Sequence, residues 1–143
     1  YNFRLSNIQA AMGLAQLESL PTYIRKKRAI HEVYKSKIDK IKGLRISRTS
    51  HLSKCNCWLN IVEIEKKLSK KSFLTIIKYL NNNGIEARPL WYPNHLQKKY
   101  TKCQTYKLYN VKKIYQRRLC LPSSSQLTKK QQDFICKKLK GIF

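Results

Sequence analysis

The chain has 143 residues, of which 42% are hydrophobic and 10% aromatic, a composition that predicts a folded domain with a core and excludes intrinsic disorder. No stretch approaches the roughly 20 consecutive apolar residues that a membrane-spanning helix needs, and no signal peptide is visible. The formal net charge is +24, from 31 lysines and arginines against 7 acidic residues, which leaves a polyanionic partner open.

The positive charge is spread along the chain. Lysine pairs recur from the first quarter of the sequence to its end, without an arginine-rich block or a single basic tail. Lysine, asparagine and isoleucine are abundant together, as in the product of an AT-rich coding sequence. We therefore interpret the charge as compositional bias and expect no nucleic-acid partner; the alternative is a binding module for nucleic acid or another anionic surface.

The five cysteines form neither an even disulfide framework nor a paired CxxC zinc pattern. Cys55 and Cys57 lie in a predicted strand, where residues two apart share a face, so a metal pair is conceivable. No second pair and no nearby histidine completes such a site. We expect no metal, and buried, reduced thiols in a cytoplasmic protein.

The first predicted helix begins near Asn7. Ser6 and Gln9 form a capping box, in which each side chain bonds the backbone amide of the other residue. Small and apolar residues recur at three- and four-residue spacing between Ile8 and Leu17. This pattern predicts a helix that packs closely against a neighbour.

Pro21 should end the first helix and open a second one, because proline disfavours helix at the residue before it and suits a first-turn position. The second helix is predicted to run to about Lys42, with Gly43 as its C-terminal stop. Two predicted strands follow, at 44–47 and 57–64, and they should pair antiparallel.

Further helices alternate with short strands in the second half of the chain. Ser69 is predicted to cap a helix that runs to about Asn83, and Gly84 should provide its left-handed exit. The next predicted elements are a strand at 85–90, a loop with one helical turn over 91–106, a helix at 111–118 and a strand at 119–122.

A second capping box, formed by Thr128 and Gln131, opens a terminal helix with Phe134, Ile135 and Leu139 facing inward. Helices and strands in this order predict an α/β (α+β) fold in which helices pack on a small sheet.

Three stretches of the sequence resemble one protein family, in the order in which that family has them. They are residues 1–18 (YNFRLSNIQAAMGLAQLE), 84–97 (GIEARPLWYPNHLQ) and 119–125 (LCLPSSS). The family is the DegT/DnrJ/StrS-type sugar aminotransferases. The resemblance spans essentially the whole chain, yet in that family this region is only the C-terminal part of a chain more than twice as long.

The resemblance implies the small C-terminal domain of a fold-type-I aminotransferase, which uses pyridoxal 5′-phosphate (PLP). Residues 1–42 would be a helical link from a preceding large domain, and residues 43–143 the small α/β domain. The chain, which begins with tyrosine, would then be a fragment of a homodimeric, cytoplasmic enzyme.

The resemblance also implies cofactor contacts near the first residue. Asn2 matches an asparagine that reaches across the dimer interface to the PLP phosphate of the neighbouring subunit, with Arg4 close behind; amide and guanidinium donors suit a phosphate dianion. The lysine that holds PLP would lie in the large domain. None of the 23 lysines falls in a segment that resembles its motif, so we expect no catalytic residue here and no activity from the chain alone.

Arg88, Trp91, Tyr92 and His95 lie in the stretch that borders the nucleotide-sugar pocket in this family. Aromatic rings, a cation and an imidazole suit a sugar nucleotide. The resemblance implies transfer of an amino group, usually from glutamate, to a keto-hexose carried by a nucleoside diphosphate, for surface polysaccharide or related sugars. His95 would be the main substrate contact; the alternative is a loop histidine packed for structure.

Overall fold

One antiparallel sheet of four strands organises the fold. The computed structural model describes residues 4–65 and 72–143. In chain order its elements are α1 (Asn7–Ile38), β1 (Leu44–Ile46), β2 (Asn60–Ile64), α2 (Phe73–Asn82), β3 (Arg88–Pro89), two 3₁₀ turns (Asn94–Leu96 and Lys98–Tyr100), α3 (Val111–Tyr115), β4 (Arg118–Leu121) and α4 (Lys129–Lys140). The strand order is β1-β2-β4-β3, which confirms an α/β (α+β) fold with helices on a small sheet.

Strand register decides which face of the sheet is buried. Leu44 pairs with Ile64, and Val62 pairs with Leu119, so alternate apolar residues of three strands point to one side. Helices α1, α2 and α4 cover that side, and their buried residues join it in one core: Ile30, Tyr34, Ile38, Ile76, Ile77, Leu80, Ile135, Cys136 and Leu139. The other face of the sheet is left uncovered by these helices.

Helix α1 begins at Asn7 as predicted, and both hydrogen bonds of the capping box between Ser6 and Gln9 are present. The prediction that Pro21 ends the helix is wrong, because Pro21 lies inside α1. An internal proline costs one hydrogen bond and about 3 kcal/mol. Strong helix formers on both sides, and no glycine between Pro21 and Gly43, carry the helix across it.

Other predicted boundaries shift as well: α1 ends at Ile38 rather than near Lys42, β3 is Arg88–Pro89 rather than 85–90, and α3 ends at Tyr115 rather than at 118. Strand β2 begins at Asn60 rather than at 57, because Cys57 has a φ of +53°, a left-handed conformation that a strand cannot include. Helix α2 is capped by Ser72, whose hydroxyl accepts the N–H of Thr75; the predicted cap, Ser69, lies outside the described residues. The left-handed exit at Gly84 is confirmed by its φ of +73°.

The terminal helix α4 has its predicted capping box between Thr128 and Gln131. Ile135 is buried, but Phe134 is 46% exposed and lies beneath the ammonium group of Lys138, so the inward orientation predicted for Phe134 is wrong. The residues of α4 that form its buried stripe, at three- and four-residue spacing, occupy the core instead of Phe134.

The expectation that all five thiols are buried is only partly met. Cys57 and Cys136 are buried, Cys55 and Cys120 are half-buried, and Cys103 is exposed. Within the described ranges, no helix has the length and apolar character to cross a membrane.

Candidate functional site

A groove of about 430 Å³ opens on the uncovered face of the sheet. Its lining comes from the segment before β2, from β3 and the residues after it, and from the middle of β4, namely Trp58, Leu59, Arg88, Pro89, Trp91 and Cys120. Because β4 lies between β2 and β3 in the sheet, it brings together residues that are about 30 positions apart in sequence.

Two tryptophans form the aromatic wall of the groove. The ring centroids of Trp58 and Trp91 are 5.9 Å apart, with an interplanar angle of 37°. Both side chains are largely exposed, at 62% and 67%, so neither is used to fill the core. Exposed, preoriented rings of this kind suit a planar or cyclic ligand, which would remove apolar surface from water on binding.

Arg88 supplies the positive charge of the groove. Its guanidinium group pairs with the carboxylate of Glu86, and both side chains are exposed, at 74% and 69%. An exposed pair of this kind contributes little free energy, because water already screens both charges. A phosphate ligand could therefore take the place of Glu86 at small cost.

The tryptophan on the β2 side is held by hydrogen bonds on both of its backbone groups. The N–H of Trp58 donates to Asn56 Oδ1 at 3.0 Å, and Lys27 Nζ donates to the carbonyl oxygen of Trp58 at 3.3 Å. Lys27 also donates to the carbonyl of Ser123, and burial lowers the pKa of its amine. The lysine thus ties α1 to both segments that flank the groove.

Asn60 continues this polar connection below the groove and is fully buried. Its backbone N–H and its side-chain Nδ2 both donate to Ser123 Oγ, at 3.0 and 2.7 Å. Its Oδ1 lies 2.9 Å from His31 Nδ1. The side chains of Ser123, the first serine after Pro122, and of His31 in α1 are therefore used in structural hydrogen bonds.

The four residues predicted at the substrate pocket are not all brought together. Arg88 and Trp91 share the groove, but Tyr92 packs edge-on against Tyr115, with ring centroids 5.6 Å apart. His95 is half-buried and lines a separate pocket of about 330 Å³ with the side chains of the segment that follows it.

The predicted cofactor contacts lie at the other end of the chain. Arg4 is exposed just before α1, and Asn2 lies outside the described residues. Within the described part of the chain, no group of three histidine, cysteine, aspartate or glutamate side chains is placed to hold a metal ion.

Sequence reasoning missed Trp58 as a groove residue. The alternation over the predicted strand at 57–64 put Trp58 on the same side as Asn60 and Val62, which are buried. Because β2 begins only at Asn60, the alternation does not extend to Trp58. A large aromatic residue just before a strand was the available signal.

Comparison with known proteins gives a consistent result over the whole chain. The model of the DegT/DnrJ/EryC1/StrS aminotransferase family matches residues 1–140. The chain is 33% identical to EpsN of Bacillus subtilis (strain 168), a proposed pyridoxal phosphate-dependent aminotransferase, over all of this chain and 37% of that protein. It is 32% identical to the GDP-perosamine synthase of Vibrio cholerae, over all of this chain and 39% of that protein.

The fold agrees with solved structures. PseC of Helicobacter pylori, an aminotransferase involved in the biosynthesis of pseudoaminic acid, superposes on 100% of this chain with a TM-score of 0.83 and 23% identity, over 38% of its own length. The chain thus spans less than two fifths of the length of each protein compared here.

Proposed function

The chain belongs to the DegT/DnrJ/EryC1/StrS aminotransferase family, and from this premise we propose that it is the C-terminal part of a PLP-dependent nucleotide-sugar aminotransferase. The amino group passes, usually from glutamate, to a keto-hexose carried by a nucleoside diphosphate. The product serves surface polysaccharide or a related sugar. The similarity to a GDP-perosamine synthase supports a nucleotide-sugar substrate.

In this proposal, residues 1–42 link the small domain to a preceding large domain, and residues 43–143 form the small domain itself. The first turns of α1 are exposed and its last turns are buried against the sheet. This supports a helix that connects the small domain to a preceding large domain. The enzyme is a cytoplasmic homodimer, with Asn2 donating to the PLP phosphate of the neighbouring subunit.

The residues of this chain fit part of a PLP site. Arg4 precedes α1 as an exposed guanidinium group, which suits one contact to the phosphate. Lys27 has the lowered pKa that an attachment lysine needs, but its amine donates to the carbonyl oxygens of Trp58 and Ser123, so it does not fit that role.

We assign the attachment lysine to the part of the enzyme outside these 143 residues, because none of the 23 lysines falls in a segment that resembles the family's attachment motif. PLP, when bound, supplies the electron sink for amino transfer. The chain alone is expected to be inactive.

The observation that carries the substrate assignment is the groove between Trp58 and Trp91. In the proposed complex, the rings stack on the base or the sugar and Arg88 donates to the diphosphate. His95 contacts the substrate from its separate pocket, and Tyr92 positions the loop before His95 by its contact with Tyr115.

Intrinsic fluorescence tests this assignment directly, because the chain has two tryptophans and both line the groove. Titration of the 143-residue chain with GDP or dTDP is expected to quench the fluorescence in a saturable way. Trp91→Ala, read from the remaining Trp58, should weaken binding roughly fivefold, since one stacking contact contributes about 1 kcal/mol. Arg88→Gln should weaken it by a similar factor.

Tyr109→Ala serves as the matched control, because Tyr109 is exposed and lies outside the groove. It should leave the titration unchanged. A flat response to both nucleotides up to millimolar concentration, or equal binding by the Arg88→Gln variant, would refute the assignment of the groove.

A further inference from the structure

Cys55 and Cys57 both line a second cavity, which shares no lining residue with the groove. The cavity has a volume of about 490 Å³ and is lined by both cysteines and by residues of α1 and the end of β1, including Arg28, His31 and Ser47. The two cysteines were predicted to share one face of a strand, but neither belongs to a strand.

The Cys55 sulfur lies against the backbone of Cys57. The backbone N–H of Cys57 donates to Cys55 Sγ at 3.2 Å. Cys57 itself has a left-handed backbone, with a φ of +53°. Cα atoms two residues apart are separated by at most about 7 Å, close to the range of about 4.4–6.8 Å that disulfides span.

The two thiols differ in access and in surroundings. Cys55 is half-buried beside the cavity, whereas Cys57 is buried. Burial first, and then the adjacent Cys55, raise the pKa of the Cys57 thiol. Arg28 brings positive charge close to the pair, since its Nε donates to the carbonyl oxygen of Cys55 at 3.2 Å. An accessible sulfur that accepts a hydrogen bond, next to a buried partner that keeps its proton, is the arrangement of a redox pair with one attacking and one resolving thiol.

We propose that Cys55 and Cys57 form a reversible redox pair, which low-molecular-weight disulfides such as oxidised glutathione convert to an intrachain disulfide. The choice of a disulfide over a bound metal follows from the ligands, because no third metal-binding side chain joins the pair among the described residues. This site is independent of the proposed aminotransferase function.

The reaction proceeds by two thiol–disulfide exchanges. The Cys55 thiolate attacks one sulfur of oxidised glutathione, which forms a mixed disulfide and releases one glutathione thiolate. Cys57 then loses its proton and attacks the Cys55 sulfur, which forms the bond between the two cysteines and releases the second glutathione. The two protein thiols lose two electrons in total, and the glutathione disulfide gains them; the two protons pass to the released glutathiones.

The test uses the 143-residue chain in glutathione buffers of increasing oxidised fraction, followed by acid quenching, alkylation and tryptic digestion. Trypsin releases residues 55–66 as one peptide, which contains these two cysteines and no others. The expected product is this peptide with two hydrogens fewer and no alkyl group. Cys103 is exposed, and no other cysteine lines its pocket among the described residues, so it should show only a glutathione adduct and is the internal control.

Two variants assign the roles. Cys57→Ser should accumulate the glutathione adduct at Cys55, because the resolving thiol is gone, and Cys55→Ser should leave Cys57 largely unmodified. Closure in the wild-type chain should also change the fluorescence of Trp58, the next residue, with no change in Cys55→Ser. Glutathione adducts on both cysteines without closure, or an unmodified peptide at ratios that modify Cys103, would overturn the proposal.

Discussion

Asn60 is the residue on which the polar connection below the groove depends. It is fully buried, and its amide and backbone bond Ser123 and His31. Sequence reasoning placed Asn60 on a strand but could not assign its partners, which are 29 and 63 positions away. Hydrogen bonds over such separations depend on the folded topology, whereas periodicity reports only near neighbours.

Cys136 makes the stability of the fold depend on pH. Burial raises the pKa of its thiol to about 11 from 9.0, with smaller opposing effects of Lys37 and Asp133. Because the pKa is higher in the folded state than in the unfolded state, the neutral thiol's contribution is fully present below pH 9 and is lost as the pH rises toward 11. The free energy of unfolding should fall by about 1.4 kcal/mol per pH unit in that window from this group.

Urea unfolding at several pH values between 8 and 10.5, in the wild-type chain and in Cys136→Ala, measures this effect. Because the Cys136 thiol also raises the pKa of Tyr34, the difference between the two slopes measures the thiol together with its effect on Tyr34. The variant should have the shallower dependence on pH. Parallel curves would show that the thiol titrates equally in both states.

At the scale of the element, the capping boxes were predictable from the sequence, whereas the effect of one proline was not. The caps at Ser6 and Thr128 were identified to the residue, because a capping box involves two side chains three positions apart. The predicted helix break at Pro21 was wrong, since the helix-breaking preference of this one residue was outweighed by the helical turns before and after it. The inward orientation of Phe134 was wrong as well, because several apolar stripes are possible on α4 and packing selects one.

The two capping boxes provide a matched comparison, since they have the same chemistry at helices with different packing. Thr128→Ala should lower the free energy of unfolding by about 1 kcal/mol, because α4 lies in the core. Ser6→Ala should leave it nearly unchanged, because the first turns of α1 are exposed and can fray without opening the core. Urea unfolding monitored by circular dichroism measures both, and equal losses would contradict the comparison.

At the scale of the whole molecule, the site was harder to predict than the fold. Arg88 and Trp91 follow from a stretch that resembles a family, but their neighbour Trp58 follows only from the strand order β2-β4-β3. A sequence pattern can predict that strands exist, while their order is fixed by contacts throughout the core.

The first half of α1 is an apolar surface without a partner among the described residues. Ile8, Met12, Leu14 and Leu17 are all more than half exposed, and a patch of this kind favours association. We expect the 143-residue chain to self-associate, or its first helix to exchange amide hydrogens rapidly. Leu14→Gln together with Leu17→Gln should reduce association in sedimentation velocity.

Leu52→Gln is the control for this prediction, because Leu52 is 85% exposed and lies outside α1. It should leave association unchanged. A chain that stays monomeric at every concentration and exchanges slowly throughout residues 7–17 would contradict the expected behaviour of α1.

The two outer strands of the sheet limit how copies of the chain can meet. Strand β3 has two residues, and the second, Pro89, has no backbone N–H to offer to an added strand. At the opposite edge, β1 has three residues with the charged Arg45 at its centre. Edge strands that are short, contain proline or carry a charge do not act as templates for the growth of fibrils. Copies that associate should therefore do so through side chains, and the resulting particles should bind no amyloid dye.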